Sequence, residues 1–194
     1  HQNKLLDNVT MVTALVGISM PLFWLALLLV LIFSVHLHWL PSSGFSTASF
    51  GEMVKSVILP TLTLATLPTA MITRMTRSSI LEVIRADYID TARSKGLKES
   101  IITRRHMLSN ALIPIITIAG LQFGQALSGA ILTETVFSWP GIGRLTVESI
   151  KMKDAQTVLG CVVVISIMFS LVNLIVDLLY TFVDPRIKAR YKGK

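Results

Sequence analysis

No Asp, Glu, Lys or Arg occurs between Asp7 and Glu52, and long apolar runs return three more times along the chain. A helix rises 1.5 Å per residue, so crossing a ~30 Å hydrocarbon core takes about 20 mostly apolar residues. Four stretches meet that length, at about 9–35, 56–78, 106–133 and 157–183. The first holds Pro21, with Trp24 and Trp39 toward one end; the second holds Pro60 and Pro68, and Pro114 lies near the start of the third. Prolines are tolerated in spanning helices where neighbouring helices and hydroxyl side chains satisfy the freed carbonyls. The pattern predicts an all-α fold, a polytopic transmembrane helical bundle.

Composition agrees. Only 15% of the 194 residues are charged and 52% are hydrophobic, with a mean hydropathy of +0.66. Soluble domains carry about 25% charged residues. The net charge of +7 could belong to a nucleic-acid binder, but location argues otherwise. Fourteen of the 18 Lys and Arg fall at Lys4, in the connection from Arg74 to Arg105, and in the tail from Arg186 onward. The opposite connections hold Lys55, Arg144, Lys151 and Lys153. Basic loops stay in the cytoplasm, so the Arg74–Arg105 connection and the C-terminus are expected there, and no nucleic-acid partner is expected. The single cysteine, Cys161, excludes an intramolecular disulfide. The chain opens with His1 and no cleavable signal pattern follows, so it reads as part of a longer protein.

The cytoplasmic connection carries helix punctuation. Asp87 with Asp90 three residues on resembles a capping pair, and about two helical turns follow to Lys95. Gly96 stands where a left-handed C′ residue is wanted, with Leu97 beyond it as the hydrophobic contact. Arg93 and Lys95 occupy the last turn, where the helix dipole favours cations. A short capped helix within 86–97 is therefore expected, exposed to the cytoplasm, either as a surface turn that helps insertion or as a docking element for a cytoplasmic partner.

No catalytic set emerges: there is no phosphate-binding G-x-x-x-x-G-K-[ST], no H-E-x-x-H and no G-x-S-x-G. His36-x-His38 places two rings on opposite sides of a helix and completes no usual coordination sphere, so no metal site is assigned. Trp139-Pro140-Gly141-Ile142-Gly143 reads as an external turn before a short helix near Arg144. Ser166, Ser170, Asn173 and Asp177 share one helical stripe, read as interhelical hydrogen bonding, with a pathway role for Asp177 as the alternative. Gly120-x-x-x-Gly124 and Ala126-x-x-x-Ala130 permit close packing. Gln122, Gln125 and Ser128 between and beside them, and Thr66, Thr69 and Thr73 on the second stretch, are candidates to line a path or to pack helices.

The run Ala86-Asp87-Tyr88-Ile89-Asp90-Thr91-Ala92-Arg93-Ser94-Lys95-Gly96-Leu97, then Arg105-His106 and Asn110-Ala111-Leu112-Ile113-Pro114, resembles the EAA loop of ABC-importer permeases. More closely, the chain is similar to the first permease subunit of the dipeptide/oligopeptide/nickel importers. Gly17-Ile18-Ser19-Met20-Pro21, Trp39-Leu40-Pro41, Glu134-Thr135-Val136-Phe137 with Trp139-Pro140-Gly141-Ile142-Gly143-Arg144, and Asn173-Leu174-Ile175-Val176-Asp177 ending in Asp184-Pro185-Arg186 support this. The general motif opens Glu-Ala-Ala where this chain has Asp90-Thr91-Ala92.

The resemblance implies a type I ABC-importer permease fold and no enzymatic activity in this chain. It implies two further membrane helices upstream and a bacterial or archaeal cytoplasmic membrane. Its implied partners are a second permease subunit, two cytoplasmic ATPases that hold ATP and Mg, and an external substrate-binding protein. ATPase coupling is carried over onto Asp87, Tyr88, Asp90, Ala92, Arg93, Gly96 and Leu97. Peptides are the favoured substrate because no metal-ligand set stands out, with a nickel importer as the alternative. A proton-coupled secondary transporter would need its own coupling-ion site, for which Asp177 is the only candidate.

Overall fold

Proline has no amide to donate and pushes the preceding residue toward extended backbone, and at Pro21 this turns the chain. The computed structural model describes residues 4–183, without the side chains of 127–129 and 179–183. Helix α1 is Leu5–Ser19, and α2 is Leu22–Leu29, whose winding widens to π-type over Val30–His36. The chain bends by 109° between the two arms. Met20 and Pro21 are the extended residues between them, with ψ of 131° and 137°. The stretch 9–35, read above as one span, is thus a sharply bent pair.

Pro60 and Pro68 do not turn the chain. Helix α3 runs unbroken over Phe50–Ile84, 35 residues, or ~52 Å at 1.5 Å per residue. That exceeds the hydrocarbon core, and the surplus carries Arg74, Arg77 and Glu82. Ser49 caps its start by accepting the Glu52 amide at 3.3 Å. Beyond α3 come the short α4, Asp87–Ser94, and α5, Glu99–Ile101, which continues through π-type winding over Ile102–Leu108 into α6, Ser109–Val136. Helix α7 is Ile142–Lys151 and α8 is Ala155–Val183. Among the described residues, three helical stretches, Phe50–Ile84, Glu99–Ala126 and Ala155–Leu178, are long and apolar enough to cross a membrane, and the bent pair makes up to four.

Helix α3 packs on α6 and α1, while α6 also meets α2, α7 and α8. Among the described residues, two apolar clusters mark the ends of the bundle. Ala26, Leu59 and Phe137 pack where α3 begins, and Ile89, Ala92, Ile102 and Met107 pack where it ends. Large apolar side chains such as Leu159, Ile167 and Leu174 point outward from α8, the arrangement expected when lipid rather than water is the solvent. At the start of α1, Asp7 accepts two bonds from the Arg77 guanidinium at 2.7 and 2.9 Å, tying α1 to α3.

Candidate functional site

Helix α4 is held from below and open above. Ile89 (0% exposed) and Ala92 (6%) seat it on Ile102 and Met107, with Val83 alongside. Its other face presents Asp87, Tyr88, Asp90 and Arg93 to solvent. Tyr88 also borders a cleft of about 320 Å³ that reaches Glu82 on α3 and Asn110 and Pro114 on α6.

The expected Asp87–Asp90 cap does not form. Ala86 is the N-cap and has no side-chain oxygen to offer the first amides; Asp87 is already the first helical residue. Both acids still lie in the first turn, where the helix dipole favours negative charge. Asp90 pairs with Arg93 at 3.3 Å, and Arg93 Nε donates to Glu99 at 2.9 Å. The Glu99 hydrogen bond and its charge raise the Arg93 pKa further, so this guanidinium stays protonated.

The other end of α4 follows the sequence reading. The Gly96 amide donates to the Arg93 carbonyl at 2.9 Å and the Leu97 amide to the Ala92 carbonyl at 3.3 Å, the paired bonds of a Schellman turn. Gly96 has φ +72°. A methyl group there would meet nothing within 4 Å, so any substitution penalty comes from the backbone alone. Of the seven residues carried over for ATPase coupling, Asp87, Tyr88, Asp90, Arg93, Gly96 and Leu97 are exposed. Ala92 belongs to the underside, and Gly96 shapes the exit.

The remaining candidates scatter. Thr66 and Thr69 share a groove of about 480 Å³ between α1 and α3 with Thr10, Thr13 and Thr73. The Thr66 hydroxyl donates to its own helix at Leu62, and its methyl packs closely on Gly17, 3.0 Å from where a Cβ there would stand. Gln122 is buried (5% exposed) with its Oε1 unpartnered, whereas Gln125 is exposed. Asn173 sits beside Gly124 at the α6–α8 contact, and Asp177 is exposed on α8. Ser166 and Ser170 donate to carbonyls of their own helix, not across to a neighbour. The side chain of Ser128 and the run Asp184-Pro185-Arg186 lie outside the described residues. His36 and His38 each hold a ring nitrogen 3.1 Å from a main-chain carbonyl. Among the described residues no three of His, Cys, Asp and Glu gather as a metal site.

One constellation escaped the sequence reading. The Glu134 carboxylate, at the far end of α6 from α4, accepts the Arg144 amide in the first turn of α7 at 3.0 Å. Arg144 in turn donates to Glu148 at 2.7 Å and to the Ser138 carbonyl at 2.6 Å. Glu134 and the Trp-Pro-Gly-x-Gly turn stand together in the stretch that supports the family resemblance, but the letters alone give the acid no role at the start of α7.

These features define a multi-pass helical membrane protein with an amphipathic helix displayed at one end of its bundle. The chain belongs to the family of binding-protein-dependent transport system inner membrane components, which it matches over residues 1–189. It is 47% identical over 209 residues to the dipeptide transport system permease protein of Alkalihalophilus pseudofirmus, covering 96% of this chain and 63% of that protein. It is 42% identical over 209 residues to the di/tripeptide transport system permease protein of Pseudomonas aeruginosa, covering 96% and 62%. Against the glutathione transport system permease protein of Escherichia coli the identity is 43% over 191 residues, covering 98% and 60%. The chain thus spans a little under two thirds of the relatives it matches.

Proposed function

We propose that this chain is a membrane-spanning permease subunit of an ATP-binding-cassette importer that carries di- and oligopeptides across the cytoplasmic membrane. The observation that carries the reading is α4: a discrete helix seated by Ile89 and Ala92, closed by Gly96 in left-handed conformation, with a charged and aromatic face left open. That is the form of a docking element. Its partners in this reading are two cytoplasmic ATPases, a second permease subunit and an external substrate-binding protein. ATP and Mg belong to the ATPases, and this chain binds no cofactor. The basic connections support a cytoplasmic α4 and C-terminus. The names of the relatives favour peptides over nickel.

In this mechanism, closure of the ATPase pair pushes on the exposed face of α4. The apolar seat passes the motion to the start of α6 and the end of α3, and the permease halves rock to expose the path to one side and then the other. Thr66, Thr69, Gln122, Gln125, Asn173 and Asp177 are the residues proposed to line or brace that path.

Crosslinking tests the coupling. Photoreactive groups at Tyr88 or Arg93 should capture the ATPase and not the external binding protein. Gly96→Val should leave membrane abundance normal while uncoupling ATP hydrolysis from uptake, since a β-branched residue in this conformation costs roughly 1–2 kcal/mol. Labelling of α4 from outside the cell would refute the topology and the function together. Competition of labelled dipeptide uptake by unlabelled peptide but not by nickel would decide the substrate; the reverse would reassign it.

A further inference from the structure

The first amides of any helix lack intrahelical partners, and α7 finds one of them on another helix. Its flanking residue Gly141 is extended (φ −134°, ψ 171°) and offers no side-chain cap. The acceptor comes from α6. Glu134 takes the Arg144 amide on its carboxylate and the Trp139 amide, at 2.8 Å, on its own carbonyl. Space for the carboxylate exists only because two side chains are missing. A methyl group at Gly141 would fall on the Glu134 carboxylate carbon, and one at Gly143 would come within 2.6 Å of the Ile131 Cα and 2.9 Å of Glu134 Oε2. The same turn is fastened to the segment before α3: the Gly44 amide donates to the Phe137 carbonyl at 2.7 Å, and Phe45 and Trp139 lie ring to ring at 4.8 Å. Helix α7 then packs on both α6 and α8. It is a strap across their ends, pinned at its first turn.

We propose that Glu134 is the positioning residue of this strap. Its carboxylate, seated against the Arg144 amide of α7 in the hollow left by Gly141 and Gly143, fixes α7 at the mouth opposite α4, where a loaded binding protein must deliver its substrate. The proposal rests on the importer reading for its effect on uptake, while the seat itself is independent of that reading.

The two glycines make the test specific. Gly141 needs no unusual backbone angle, and the atoms nearest to an added methyl group are those of the carboxylate, so Gly141→Ala acts first by displacing it. In the assembled transporter, Glu134→Ala and Gly141→Ala should each speed amide hydrogen exchange at Arg144 by about tenfold or more. Each should also raise the binding-protein concentration for half-maximal uptake several-fold, with ATPase attachment unchanged. The double variant should be no worse than either single one, because removing the carboxylate leaves room for the methyl group. Gly143→Ala should stay defective in the Glu134→Ala background, since the main chain of α6 cannot yield. Glu134→Gln keeps an acceptor without the charge and should fall between wild type and Glu134→Ala. Additive defects, or unchanged exchange at Arg144 in Glu134→Ala, would overturn the seat. Faster exchange with unaltered half-saturation would overturn its role in delivery. If Glu134→Ala fails to insert, Gly141→Ala is judged by the same two measurements. Absence of binding-protein-stimulated uptake in the wild-type complex would refute the importer reading, and the exchange result would still decide the seat.

Discussion

The bundle carries a short helix at each end, and the two are held by opposite means. Helix α4 rests on apolar contacts and closes its C-terminus with its own backbone; no side chain caps its start. Helix α7 is fastened at its start by directed hydrogen bonds, from the Arg144 amide to the Glu134 carboxylate and from the Arg144 side chain to the Ser138 carbonyl. Helices this short are marginal alone in water, so each takes its form from what lies beneath it. Apolar seating lacks direction and leaves the polar face of α4 free for a partner. A carboxylate on a helix start is directional, and it fixes where α7 lies.

The sharpest way to break this contrast is to remove the seat of α4. Ile89→Ala empties a fully buried position and should cost about 2–5 kcal/mol locally. Fast hydrogen exchange across 86–97 with normal exchange in α7 is the expected outcome; equal loosening at both ends would mean the two helices are not independently held. Next in size is the exit of α4. Gly96→Asn should cost less than Gly96→Val, because asparagine tolerates left-handed backbone, and exchange at the Leu97 amide measures it. Equal costs would mean that crowding, not conformation, governs the site, against the open space around Gly96.

Smaller again is Arg93→Ala. Its partners are exposed, and such pairs are weak and screened by salt. Thermal stability should hardly change, whereas ATPase attachment should fall if this face is the interface. The smallest effect belongs to Asp154, which caps α8 by accepting the Thr157 amide at 3.1 Å and its hydroxyl at 2.5 Å. These bonds lower the Asp154 pKa. The cap therefore contributes fully above the ordinary carboxylate range and fades as pH falls through the lowered folded value. Exchange in the first turn of α8 should rise only on acidification, and Asp154→Asn should flatten that dependence.

What could be read from sequence was what depends on neighbours in the chain. Apolar runs located the long helices, and the left-handed turn at Gly96 needs only its own residue and the two beside it. The cap at Asp87 was misjudged by one position, because acids inside the first turn and an acid at the cap look alike in a string of letters. The bend at Pro21 was not distinguishable from the unbroken passages at Pro60, Pro68 and Pro114; what a proline does depends on which groups surround the carbonyl it frees. The capping role of Ser49 was available, since Glu52 follows three residues on. The Glu134 seat was not, because it exists only once α7 has folded back against the end of α6.

The unbroken passage of α3 through two prolines has a mechanical meaning. A helix of 35 residues is a rod of ~52 Å, with Ser49 at one tip and Arg85 at the other. Tilting such a rod by about 5° around its midpoint carries each tip roughly 2 Å in opposite directions. Its lower tip leads through Arg85 and Ala86 directly into α4. Its upper part, at Leu59, is locked to Phe137 one residue beyond α6. In the proposed mechanism, a push on α4 at one end of this rod would become a counter-movement at the other, carried by leverage alone.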